Sequence, residues 1–141
     1  MSLTGVSAST EEVRFLAEAG HLCLLRQEYA KAKQIFEGLE VLRPDADLAI
    51  VGQGQACFLL GDAAEATKHY KRALKANPKS GLARFHLAEL LQAQGKNEEA
   101  LAEIKAAREA GWTAGLADLE QVIKDGLNYK PKAMAEKKKK K

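Results

Sequence analysis

The sequence lacks most features that mark membrane proteins, secreted disulfide scaffolds and enzymes. No apolar run approaches the ~20 residues that span a bilayer. The N-terminus has no basic region followed by an apolar stretch, so no secretion signal is expected. The two cysteines, Cys23 and Cys57, have neither the paired spacing of a zinc site nor that of a redox motif. They read as small buried residues of a reducing, cytoplasmic compartment. Proline is scarce at three residues, and aromatic side chains make up 6% of the chain, so a core must rest on aliphatic packing and close alanine contacts. Few β-branched residues beside abundant Ala and Leu disfavour a sheet.

Catalytic signatures are missing too. His21, His69 and His86 form no HExxH or similar pairing. His69 reads as a solvated surface residue, and His21 and His86 as groove or packing residues. The pairs Glu11–Glu12 and Glu98–Glu99 fall at helix starts, where the positive end of the helix dipole favours them without any catalytic role. The glycines of Val51 to Gly54 lack the Lys-Ser/Thr of a phosphate loop and the strand that precedes one. No enzyme activity, cofactor or metal site is expected.

Charge is uneven. Residues 128–141 hold seven lysines and one glutamate, leaving 15 basic and 18 acidic residues in the body. The net +3 therefore belongs to the tail, and the body lacks the basic footprint of a nucleic-acid binder. Lys137 to Lys141, after Lys130 and Lys132, predict a disordered, self-repelling segment. It reads as a solubilising tail or as a contact for nucleic acid or an anionic membrane. Tyr129 alone is a poor stacking platform for specific RNA.

What the sequence does contain is a repeat. At an offset of 34, Gly20 aligns with Gly54 and Ala88, Cys23 with Cys57 and Leu91, and Ala32 with Ala66 and Ala100. Phe36 aligns with Tyr70 and Ile104, Leu39 with Ala73 and Ala107, and Pro44 with Pro78 and Trp112. Gly61 aligns with Gly95, where the first unit has Gln27. Glycine costs roughly 1 kcal/mol of helix propensity relative to Ala, so its recurrence mid-helix signals close helix approach. Phe36, Tyr70 and Ile104 supply a bulky plug. Gly61 and Gly95 suit a turn with positive φ. Pro44 and Pro78 end the second helix of a unit.

This pattern predicts an all-α solenoid of seven helices. Ser9-Thr10-Glu11-Glu12 fits a capping box that opens the first, which runs to about Arg26. The others are expected over about 29–42, 46–60, 63–76, 81–94, 97–110 and 117–126. In the last, Leu116, Leu119, Val122 and Ile123 share a stripe and the opposite face is charged, as a terminal cap requires. The organisation expected is an arm over 1–9, a folded region over 10–127 and the basic tail over 128–141. The folded region divides into repeats at about 13–46, 47–80 and 81–114 and a capping helix at about 116–127.

The order of small residues, aromatic plug and late proline resembles the tetratricopeptide repeat (TPR) family over about 13–112. The chain departs from that pattern at Leu16, Ile50 and Arg84, where Trp is usual, and at Trp112, where Pro is usual. The resemblance implies a concave groove lined by first helices: Arg14, Ala17, His21 and Leu24; Leu48, Val51, Gln55 and Phe58; Leu82, Phe85, Glu89 and Gln92. On that register Leu24, Leu48, Val51, Phe58, Leu82 and Phe85 form an apolar strip suited to an apolar or amphipathic segment of another protein. The Lys and Asn set that clamps a terminal carboxylate in chaperone-binding members is missing, and Val51, Gln55, Leu82 and His86 stand there instead. That argues against an Hsp90-tail adaptor. The strip is either open to a client or covered by the seventh helix, the N-terminal arm or a second copy in a homodimer.

The run Gln27 to Ala32, followed by Phe36 and Leu39, and the stretch Gly54-Gln55-Ala56-Cys57 with Gly61, resemble the TPR chaperones of bacterial type III secretion. That resemblance implies a stoichiometric, ATP-independent holdase shielding an aggregation-prone client segment. The alternative is a structural adaptor within a larger assembly. A third reading is a nucleic-acid accessory acting through the tail.

Overall fold

The computed structural model describes residues 8–128; the arm before residue 8 and the lysine tail lie outside the described residues. Seven helices follow one another: α1 (Thr10–Leu25), α2 (Tyr29–Leu42), α3 (Asp47–Leu59), α4 (Ala63–Ala76), α5 (Gly81–Ala93), α6 (Asn97–Glu109) and α7 (Leu116–Asn128). Among the described residues there is no strand, and no helix is long and apolar enough to cross a membrane.

Local chemistry sets the boundaries. Ser9 and Glu12 close the expected capping box, Ser9 Oγ accepting from the Glu12 amide at 3.2 Å and Glu12 Oε2 accepting from the Ser9 amide at 2.7 Å. Asp62 and Ser80 cap α4 and α5 in the same sense. The turns within the hairpins need a left-handed residue. Gly61 (φ 89°) and Gly95 (φ 76°) supply it without steric cost, and Gln27 adopts it at φ 62°.

Packing follows the repeat. Each hairpin pairs internally (α1–α2, α3–α4, α5–α6), and each second helix leans on the next first helix. First helices also touch one another, α1 on α3 and α3 on α5. The backbones of successive second helices stay apart, although Arg72 of α4 reaches across to Glu40 of α2. The stack therefore bends with α1, α3 and α5 on its inner side.

The aromatic plugs show why small residues recur. Phe36 is buried between α1 and α3, and a Cβ on Gly20 would lie 2.6 Å from its Cζ. On the other side, a Cβ on Gly52 would lie 2.5 Å from Cγ. Tyr70 sits against Gly54 in the same manner, but the position corresponding to Gly52 is His86, whose ring stacks on Tyr70 with centroids 6.2 Å apart. Three apolar clusters result, each shared between neighbouring units.

α7 caps the last unit through Leu116 and Ile123, with Leu119 packed beside them. Val122, expected on that stripe, is exposed instead. At 100° per residue it is displaced from Leu116 and Ile123, the two that point into the cluster.

Candidate functional site

The inner face is where the side chains of successive first helices converge. Of the residues expected there, Gln55, Phe58 and Glu89 line one cavity of about 220 Å³, together with Leu59, Tyr70 and His86. Its wall is apolar (Phe58, Leu59 and the edge of Tyr70), and its polar groups come from α3 and α5. His86 Nδ1 lies 2.6 Å from Glu89 Oε1 and 3.4 Å from Gln55 Nε2. The Glu89 carboxylate accepts, so Nδ1 donates to it, and the Gln55 amide nitrogen, also a donor, makes a contact there rather than a hydrogen bond. Burial, with the nearby Glu89 charge, pushes the Tyr70 phenol far above its ordinary range, so it is neutral at any physiological pH. The site thus offers an apolar slot with a hydrogen-bonding end, a combination that orients a bound segment as well as burying it.

The remaining expected residues divide. His21 and Arg14 are exposed, with Ala17 and Gln92 half-buried. Leu48 stands at the exposed edge of α3 and Leu82 is half-buried at the matching place on α5. Two do not reach the surface. Val51 is 0% exposed, inside the cluster that also holds Ala83, Leu87 and Leu90, because α5 closes directly over α3 at that level. Leu24 is buried with Ala32, Phe36 and Leu39, on the side of α1 that faces α2. Phe85 is partly taken up by the α6–α7 junction: its ring lies 6.2 Å from that of Trp112, and a Cβ on Gly115 would come within 3.0 Å of its Cζ. The continuous strip expected from the register is therefore interrupted at Val51 and narrowed at Phe85.

Sequence reasoning missed Leu25, Leu59 and Leu60, which are exposed at the ends of α1 and α3. They fall one or two residues past the last expected groove position in each unit, and their apolar character beside a polar turn was the available signal. His69 is half-buried rather than solvated. Its ring lies against Arg72, and desolvation with that guanidinium lowers its pKa. Cys57 is buried and Cys23 half-buried, both as thiols. Burial pushes the Cys57 thiol up, away from reactivity. Among the described residues no three His, Cys, Asp or Glu side chains gather as a metal site.

Two models of tetratricopeptide repeats match the sequence, over residues 18–79 and 58–111. The chain belongs to the tetratricopeptide repeat family. These repeats are typically non-catalytic protein-interaction modules. The fold is similar to that of the tetratricopeptide domain of Sgt2 from Aspergillus fumigatus, with a TM-score of 0.72 at 17% identity over 88% of this chain and 83% of that one. It is similar to the Yersinia enterocolitica type III secretion chaperone SycD in complex with a peptide of the translocator YopD, with a TM-score of 0.64 at 21% identity over 82% and 95%. It is also similar to the first repeat domain of Spaghetti (RPAP3) bound to an HSP90 peptide, with a TM-score of 0.68 at 18% identity over 89% and 100%. At such identities the likeness is one of fold. No curated protein matches the chain by sequence.

Proposed function

We propose that this tetratricopeptide protein binds an apolar or amphipathic segment of another protein on its inner face, as a non-catalytic chaperone of the type III secretion kind. The observation that carries the reading is the cavity between α3 and α5, where Phe58 and Leu59 stand beside the Gln55, His86 and Glu89 cluster. Apolar walls supply burial, about 25 cal/mol per Å² removed from water, and the polar end fixes register. Leu48 and Leu82 continue the apolar surface along the same two helices. A SycD relative of the same fold is found with a translocator peptide. That supports a peptide-holding role without naming this chain's client.

The test is retention of client from the native host lysate by the full chain and by Leu48→Glu/Leu59→Glu. Both leucines are exposed, so the variant keeps its helicity, whereas a charge at buried Val51 would unfold the domain. Loss of a small apolar secreted protein from the variant supports the chaperone reading. Equal retention of the same subunits by both forms rejects the inner face and favours an adaptor working through its outer helices.

A further inference from the structure

The cavity between α3 and α5 holds polar groups that no neighbour satisfies. Tyr70 is only 2% exposed, yet it lines the cavity. The polar contacts made there, from His86 to Glu89 and to Gln55, leave its hydroxyl out. That oxygen is not sealed off, since among the described residues no fully enclosed side-chain oxygen or nitrogen lacks a partner. It opens into the cavity instead. Glu89 is also half used. Its Oε1 accepts from His86 Nδ1 at 2.6 Å, while Oε2 has no partner, and no Lys or Arg pairs with the carboxylate, among the described residues. The Glu89 side chain is 44% exposed and so stands at the mouth. Gln55 reaches His86 through Nε2 alone, which leaves its Oε1 free as well.

These groups say what kind of side chain fits. An apolar one would strip water from the Tyr70 hydroxyl and the Glu89 carboxylate and give nothing back. An acidic one would meet the Glu89 charge. A neutral donor would satisfy the hydroxyl but not the carboxylate. A long basic side chain meets every demand. Its stem lies along Phe58 and Leu59, and its head sits between aromatic rings and a carboxylate. A guanidinium suits the place better than an ammonium. Its planar fork of N–H donors can serve Glu89 Oε2, the Tyr70 hydroxyl and Gln55 Oε1 together. The acceptor is also held in place. His86 lies between Tyr70, with ring centroids 6.2 Å apart, and Phe85, edge-on at 5.2 Å, and it fixes the Glu89 carboxylate by its hydrogen bond.

We propose that this cavity selects an arginine side chain of the bound segment, with lysine accepted less well, and that apolar residues on either side of it lie along the inner face. The proposal rests on the reading of that face as a segment-binding surface, and it names the chemistry that sets the segment's register. Leu48 and Leu82 take the apolar neighbours, while Glu89, Tyr70 and Gln55 take the charged one. The body carries 18 acidic against 15 basic residues, a balance that favours the approach of the same partner.

A phage-displayed library of random dodecapeptides, selected on the immobilised full chain, tests this. The expected result is enrichment of apolar peptides that share one arginine. In a synthetic copy of such a peptide, changing that arginine to citrulline keeps the shape, removes the charge and weakens binding about tenfold or more, as loss of a charged hydrogen bond should. Glu89→Gln weakens the arginine peptide by a similar factor but leaves the citrulline peptide nearly unchanged, so the two bind alike. Tyr70→Phe deletes the hydroxyl alone and weakens the arginine peptide a few-fold, with far-UV circular dichroism unchanged. Enriched peptides that are wholly apolar, and that are lost with Leu48→Glu/Leu59→Glu, overturn the arginine site and leave the inner face standing. Arginine peptides held equally by Glu89→Gln also overturn it, since the charge is then met elsewhere. Failure to enrich any peptide sensitive to Leu48→Glu/Leu59→Glu removes the inner-face reading, and the arginine site with it.

Discussion

Replacing Gly52 with alanine should destabilise the protein, although alanine is the better helix former. Taken alone, the exchange would favour α3 by about 1 kcal/mol. The new methyl, however, would lie 2.5 Å from Cγ and 2.6 Å from Cδ2 of Phe36, well inside the 3.5–4.0 Å at which carbons attract. The ring cannot retreat, because its far edge already rests against Gly20 of α1. Overpacking of a buried site costs about 1–3 kcal/mol, so with the propensity gain subtracted the expected net loss reaches about 2 kcal/mol, or a fall in Tm of up to roughly 10 °C for a domain of this size. Gly38 is the internal control. It lies inside α2, is exposed, and a Cβ there would meet nothing within 4 Å, so Gly38→Ala should raise stability by up to about 1 kcal/mol. Thermal unfolding followed at 222 nm compares the two. Adding Phe36→Leu should shrink the penalty at Gly52 and leave the gain at Gly38 unchanged. If Gly52→Ala proved as stable as Gly38→Ala, the account of Phe36 wedged between two glycines would be wrong.

Gln27 holds a left-handed conformation at φ 62°, where its counterparts are glycines. Gln27→Gly should therefore stabilise the domain by about 0.5–1 kcal/mol, read as a higher urea midpoint. Glu40 links the first two units: its carboxylate accepts from Arg72 and, at 2.7 Å, from the amide of buried Gln53. Arg72, followed by Gln53, holds the Glu40 carboxyl below its ordinary value of 4.5 against the opposing effect of burial. A depressed folded value means the contribution is complete above the unfolded value and fades as pH falls through the folded one. Acidification below about pH 4.5 should thus lower the urea midpoint of the native chain more than that of Glu40→Gln. Equal acid sensitivity would remove Glu40 from the account.

The fold was legible because a solenoid repeats its constraints. The alignment of Gly20, Gly54 and Ala88 with the plugs Phe36, Tyr70 and Ile104 carries both the hairpin and its stacking. Helix ends were readable wherever a local signal existed, as at Ser9, Gly61, Gly95 and the prolines. The candidate site was only half legible. Gln55, Phe58 and Glu89 do converge, but Val51 shares their helical register and is buried, because register gives a direction around one helix and not how closely the next helix lies over it. Gly52 shows the same limit. Its partner Phe36 belongs to the preceding unit, so nothing within its own repeat marks it as a contact. Phe85 is covered by Trp112, the departure from the expected proline.

The three apolar clusters are each shared between adjacent units, and no contact joins α1 or α2 to α5, α6 or α7. The molecule is thus a row of coupled segments rather than a block with one centre. Its order can be lost a hairpin at a time from either end. Amide hydrogen exchange should trace that gradient, slowest in α3 and α4 and fastest in α1 and α7. Because most native contacts span few residues of chain, the same wiring permits rapid refolding. A terminal hairpin can therefore open and close many times while the middle one stays shut.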